Sequence, residues 1–140
     1  MKILSGIKPL LKDPEIVVPL AAAAASWPLM YTFGSPCNID KVSHFLFGYG
    51  LSRLGRKIAE NSDKEVYSTI ASVASNLAGV FGYECLWEAN PYVNKVVGGC
   101  LGKTNPLVVD SNDIYAGVLG CIAENSKATF SKIKKHFKKK

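Results

Sequence analysis

Residues 14–34, PEIVVPLAAAAASWPLMYTFG, carry a single ionisable group, Glu15, at their start. Residues 66–87, VYSTIASVASNLAGVFGYECLW, carry only Glu84, near their end. At a rise of about 1.5 Å per residue, roughly 18 apolar residues in a helix match a hydrocarbon layer about 30 Å thick. Soluble core helices seldom run that long without a polar face. Each stretch is therefore read as a transmembrane helix, and the fold follows from that reading.

Two weaker spans complete the pattern. Val42–Ile58 is apolar except for Arg53, Arg56 and Lys57 toward its end, where long basic side chains snorkel to a membrane surface. Leu107–Ala123 is apolar except for Asp110, Asn112 and Asp113 in its opening turns. The expected fold class is all-α, a four-transmembrane-helix bundle. It comprises an N-terminal segment over 1–13, a membrane domain over 14–124 and a basic tail over 125–140.

Loop charge orients this bundle. With the N-terminus inside, every one of the 17 basic residues except Lys41, Lys95 and Lys103 falls on the inner side. That bias follows the positive-inside rule and predicts both termini in the cytoplasm. The expected location is the cell membrane, as a multi-pass protein of the cell envelope, with membrane lipids as partners. Trp27, Tyr31, Tyr83, Trp87 and Tyr92 all fall near the proposed outer boundary. A cleaved signal peptide competes for the first span, since Ala21–Ser26 supplies small residues. Asp13 and Glu15 interrupt its basic region, and apolar residues continue to Phe33. Asp13-Pro14-Glu15 instead reads as an N-cap, an N1 proline and a first-turn acid.

Composition excludes several function classes. The chain has 140 residues, is 48% hydrophobic and carries a formal charge of +6. Such apolar content is wrong for a disordered segment. Cys37, Cys85, Cys100 and Cys121 form no CxxC pair, and the two histidines stand apart, which removes the usual zinc and redox motifs. No phosphate-cradling glycine motif is present. The high isoelectric point traces to the run Lys132–Lys140. A solvated topology-fixing tail is its plainest reading, attraction to anionic lipid the next, and nucleic acid the last, since only Phe130 and Phe137 are interleaved. Nucleic acid is not an expected partner.

Small residues mark the expected helix contacts. Ala71, Ser75 and Gly79 repeat every four residues, as do Ala116 and Gly120, with Gly117 and Gly48 beside them. That spacing lets helix backbones approach closely.

The polar residues at the helix ends form the candidate site. Asp40 and His44 begin the second helix, Glu84 and Glu88 end the third, and Asp110 and Asp113 begin the fourth. Each pair is spaced i,i+3 or i,i+4 and shares a helix face. Capping explains Asp40 and Asp110 without any ligand. Glu84 and Glu88 sit at a helix C-terminus, where the macrodipole disfavours anions. Glu84, flanked by Tyr83, Cys85, Leu86 and Trp87, should protonate or find a cation: Lys41, a charged His44 or a metal. The expected metal ligands are His44, Glu84 and Asp113, with Glu88, Asp110 and Asp40 around them. Oxygen-rich ligands suit a divalent cation, and His44 shifts the choice toward Mn²⁺ or Zn²⁺. The rival is a metal-free network in which Lys41 and a charged His44 neutralise Glu84. Cys37 and Cys100 fall in the two outer loops, and an oxidising exterior would pair them.

Three pieces of this sequence together, Asp40-Lys41-Val42-Ser43-His44-Phe45, Gly82-Tyr83-Glu84-Cys85-Leu86-Trp87-Glu88 and Asp110-Ser111-Asn112-Asp113-Ile114 with Gly120, resemble the VanZ-like family of small polytopic membrane proteins. The likeness covers roughly residues 40–123 and carries over to Asp40, Lys41, His44, Glu84, Asp110 and Asp113. It implies an architecture rather than an activity.

Three function classes follow. The leading one is a protein whose acidic cluster binds a cation or a lipid headgroup. The second is an intramembrane enzyme acting on a lipid-linked substrate, with Glu84 or Asp113 as general base or metal ligand. The third is a small proton or ion pathway. No activated nucleophile is evident: Ser43 and His44 are chain neighbours, and no histidine is placed to serve Cys85 or Cys121.

Overall fold

The structure is a computed structural model and describes residues 9–33, 39–60, 65–83, 91–92 and 111–138. A 3₁₀ turn over Leu10–Lys12 leads into four helices: α1 (Pro14–Phe33), α2 (Ile39–Ile58), α3 (Glu65–Gly82) and α4 (Ser111–Phe137). The described residues are thus all-α. At the start of α1, Asp13 Oδ1 accepts the Glu15 amide at 2.9 Å, and the Asp13 carbonyl accepts from Ile16 and Val17 at 3.0 Å each. Pro14 follows at the position where its missing N–H costs nothing. The last helix runs on to Phe137, well past the end expected at Ala123, because Glu124–Phe137 contains no helix breaker.

Helix α2 is the hub and packs against all three others. Ser43 Oγ donates to the Ala23 carbonyl at 3.2 Å, while Arg53 reaches Asp13, so α1 runs antiparallel to α2. Helix α3 is antiparallel as well, with Ser72 beside Arg56's partners and Tyr83 beside His44. Helix α4 lies parallel to α2, pairing Asp113 with Lys41 at one end and Glu124 with Arg56 further along.

Glycine sets the closest approaches. A Cβ on Gly48 would collide with the Gly117 carbonyl, and one on Gly120 would collide with the Phe45 carbonyl. A Cβ on Gly55 would strike the Ala71 carbonyl, and one on Gly79 the Leu51 side chain. The small-residue spacing in the sequence therefore marks real helix seams. At their junction, Asn76 of α3 donates to the Gly48 carbonyl at 2.9 Å and the Gly117 carbonyl at 3.0 Å. One amide thereby ties three helices.

The seam is polar along much of its length. Ser68, Ser72 and Asn76 follow one another at four-residue spacing and are all buried, with Val80 continuing the stripe. Arg56 Nε donates to both Glu124 oxygens, at 2.9 and 3.1 Å, and its Nη2 donates to Asn125 Oδ1. Ser72 Oγ donates to Glu124 at 3.2 Å and accepts from Asn125 at 3.0 Å. Arg53 pairs with Asp13 at 3.1 Å and Glu15 at 3.3 Å, and Lys127 donates to Glu15 at 2.7 Å. Large apolar side chains face outward instead, including Ile70, Val73, Leu77 and Phe81 on α3 and Tyr115, Leu119 and Ile122 on α4.

The membrane reading is corrected here. Among the described residues, no helix is long and apolar enough to cross a membrane. In α2, Asp40, Lys41, His44, Arg53, Arg56 and Lys57 are distributed along 20 residues. In α3, Ser68, Thr69, Ser72, Ser75 and Asn76 break the apolar run, and in α4 Asp113 and Glu124 bracket a short one. Five alanines, Glu15 and three prolines dilute α1. The spans over Pro14–Gly34, Val42–Ile58, Val66–Trp87 and Leu107–Ala123 are not upheld as transmembrane segments. The multi-pass cell-membrane location and the cytoplasmic placement of both termini lose their basis with them. Arg53 and Arg56 do not snorkel; they pair with carboxylates of neighbouring helices.

Two stability outcomes are expected. Gly48→Ala should lower the unfolding free energy by roughly 1–3 kcal/mol or more, because backbone rather than a flexible side chain must retreat. Gly82→Ala is the control, since a Cβ there meets nothing within 4 Å; equal denaturation midpoints for the two variants would refute the close-approach argument. Glu124→Gln should cost about 3–5 kcal/mol by leaving the Arg56 charge buried and uncompensated. The paired Arg56→Met/Glu124→Leu replacement should be much milder, as a urea melt would show.

Candidate metal centre

Because α2 and α4 run parallel in close contact, their first turns converge. Asp40 and Lys41 stand in the first turn of α2, and Asp113 in the first turn of α4. Both carboxylates thus sit at helix N-termini, where the macrodipole favours anions. Asp40 is the second residue of α2 rather than its cap, and its carboxylate meets Lys41 and His44. His44, one turn along α2, aims Nε2 between the two acids: 3.4 Å from Asp40 Oδ1 and 3.7 Å from Asp113 Oδ2. Lys41 Nζ lies 3.3 Å from Asp40 Oδ2 and also contacts Asp113 Oδ1.

One nitrogen and two carboxylate oxygens, from Asp40, His44 and Asp113, lie within 4.8 Å of one another. That is close enough for a single divalent ion to be reached by all three after small rotamer adjustments, given metal–ligand bonds of about 2.0–2.2 Å. His44 and Asp113 are buried, while Asp40 is partly exposed. The environments push the two acids apart. The hydrogen bond from His44 lowers the Asp40 pKa to about 2, against the opposing effect of burial and with further help from Lys41. Burial raises that of Asp113, although Lys41 and His44 pull the other way.

A cavity of about 490 Å³ adjoins the cluster. Leu20, Ala23 and Ala24 of α1 face Phe47 and Leu51 of α2 across it. Ser43, His44 and Tyr83 complete the lining. The Tyr83 ring meets His44 edge to face with centroids 5.5 Å apart, and Phe47 at the same distance.

Of the residues expected from the sequence, the structure brings Asp40, Lys41, His44 and Asp113 together. Glu84, Glu88, Asp110, Cys37 and Cys100 lie outside the described residues, so the expected Glu84 ligand and the Cys37–Cys100 pair have no geometry here. Cys121 is a free, buried thiol. Sequence reasoning placed Asp40 around the ion and Glu84 upon it; among the described residues, Asp40 stands beside His44 and Asp113. It missed the buried Arg56–Glu124–Asn125–Ser72 network altogether. The signal was available: Asp113, Gly117, Gly120 and Glu124 recur at three- and four-residue spacing, which puts Glu124 on the buried stripe. The cavity left no such trace, because Ala23, Ala24 and Leu51 are ordinary helix residues.

No protein-family model, curated protein or solved structure matches this chain. The resemblance to VanZ-like proteins gains no support from these comparisons.

The Asp40 environment predicts an acid-side loss of stability. Its folded pKa lies below the unfolded value, so its contribution is complete above the unfolded pKa of about 3.9 and is lost as pH falls through about 2. The contribution is at most between about 2 and 3 kcal/mol, and solvent screening reduces it because the side chain is 32% exposed. Thermal melts between pH 5 and pH 2, both values set by that window, should show a shallower decline for Asp40→Asn than for the unaltered chain. Parallel curves would contradict the assignment.

Proposed function

We propose that this protein binds a divalent cation at the paired N-termini of α2 and α4, through Asp40, His44 and Asp113. The observation that carries the reading is the convergence of three ligand atoms within 4.8 Å, two of them on buried residues from different helices. Buried carboxylate and imidazole groups brought together need a cation or a proton between them. Neutral imidazole plus two carboxylates suits Mn²⁺ or Zn²⁺ better than Ca²⁺, which prefers an all-oxygen shell. Lys41 would leave Asp113 on loading and remain as a nearby positive charge.

One observation favours a second reading. Lys41 already contacts both carboxylates, so an ammonium serves as the resident counter-ion in a metal-free network. The two readings part on mass action. An ion that binds the folded state at one hundred times its Kd adds about 2.7 kcal/mol of stability, which for a chain of this size raises the melting temperature by roughly 5–10 °C. A salt-bridge network gives no ion-specific rise.

After chelation, Mn²⁺ or Zn²⁺ should restore such a shift in a concentration-dependent way, and Asp113→Asn should abolish it. A melting curve indifferent to both metals would leave the Lys41 network as the function of these residues and end the cation proposal.

A further inference from the structure

The apolar cavity and the polar cluster share His44. That sharing is the starting point. Along α2 the cavity extends from His44 to Leu51, about 10 Å of helix at the standard rise. Its volume of about 490 Å³ falls in the range of sites that enclose a small organic molecule, roughly 300–1,000 Å³. Leucine, alanine and phenylalanine supply most of its wall. Of the two polar side chains from α2, Ser43 already donates to the Ala23 carbonyl, and His44 Nε2 faces the carboxylates. Water in this space would find few partners. An elongated hydrocarbon fits it better.

Charge specifies what stands at the cluster end. With a divalent ion held by Asp40, Asp113 and a neutral His44, and with Lys41 alongside, the cluster carries one positive charge in excess. A monoanionic headgroup neutralises it and can supply a further oxygen to the ion. Without the ion the same residues carry one negative charge in excess, and an amine would be preferred.

We propose that the cavity binds the chain of a single-chain carboxylate amphiphile, a medium-chain fatty acid, with its headgroup at the cation held by Asp40, His44 and Asp113. The inference rests on the cation reading above. Phe47 and Leu51 flank the chain on one side and Leu20, Ala23 and Ala24 on the other, while Tyr83 packs behind His44. The ion selects the head and the cavity selects the length.

The experiment measures binding of octanoate, dodecanoate and dodecylamine to the purified full chain by calorimetry, with and without Mn²⁺. Dodecanoate should bind in the presence of Mn²⁺, at least roughly tenfold tighter than octanoate, since each methylene buried in the cavity adds affinity. Removal of the metal should weaken it tenfold or more. Ala24→Trp fills the cavity from its α1 wall and replaces none of the ion ligands. It should abolish dodecanoate binding and leave the Mn²⁺-dependent melting shift intact. Should that variant not fold, the chain-length series on the unaltered protein decides alone. A preserved Mn²⁺ shift with no dodecanoate binding overturns this inference and spares the cation site. Dodecanoate binding unchanged in folded Ala24→Trp places the chain elsewhere and overturns it too. Preference for dodecylamine over dodecanoate, with no response to Mn²⁺, overturns both readings at once.

Discussion

Everything in this bundle depends on the backbone contact between α2 and α4 at Gly48, Gly117 and Gly120. No side chain fits between the helices there, since a Cβ on Gly48 would meet the Gly117 carbonyl and one on Gly120 the Phe45 carbonyl. The contact does two jobs. It brings the Gly48 and Gly117 carbonyls near enough for one Asn76 amide to bond both, which docks α3. It also holds two parallel helices in register, so that their N-terminal turns, and the acids upon them, arrive at the same place.

Parallel packing has an electrostatic consequence. Two helix N-termini side by side concentrate positive dipole, and Asp40 and Asp113 answer it. Further along the same seam, the Arg56–Glu124 pair is sealed with Asn125 and Ser72 as additional partners. A buried ion pair of this kind contributes little net stability over an apolar replacement, but its loss on one side is severe. It therefore penalises any sliding of α4 along α2 that would part the charges. Register at the seam and geometry at the candidate metal centre are the same constraint read at two positions.

Among the described residues, more of the buried side chains are polar than apolar. Serines, Asn76, His44, Arg56, Asp113 and Glu124 are buried, whereas Leu77, Phe81 and Leu119 are exposed. This inversion explains why hydropathy misdirected the reading of the chain. The apolar residues of α3 and α4 lie on one outward stripe, and the polar residues between them belong to the seam. A count along the sequence merges the two faces. The helix surface separates them.

Sequence by itself determined that the chain is helical, where α1 begins, and which small residues mark helix contacts. Those properties are local: Asp13, Pro14 and Glu15 specify a helix start, and the four-residue spacing of Ala71, Ser75 and Gly79 specifies a face. It also marked Asp40, Lys41, His44 and Asp113 as chemically notable, because acids and a histidine spaced on single helix faces are visible in one dimension. Only the tertiary structure decided that Asp40 joins His44 and Asp113, that Lys41 lies against both acids, that Arg56 finds Glu124, and that a cavity opens beside His44. These depend on the parallel register of α2 and α4, whose described residues are separated by α3 and more than fifty positions of chain. No local periodicity encodes that register; the close approach at Gly48 and Gly117 does.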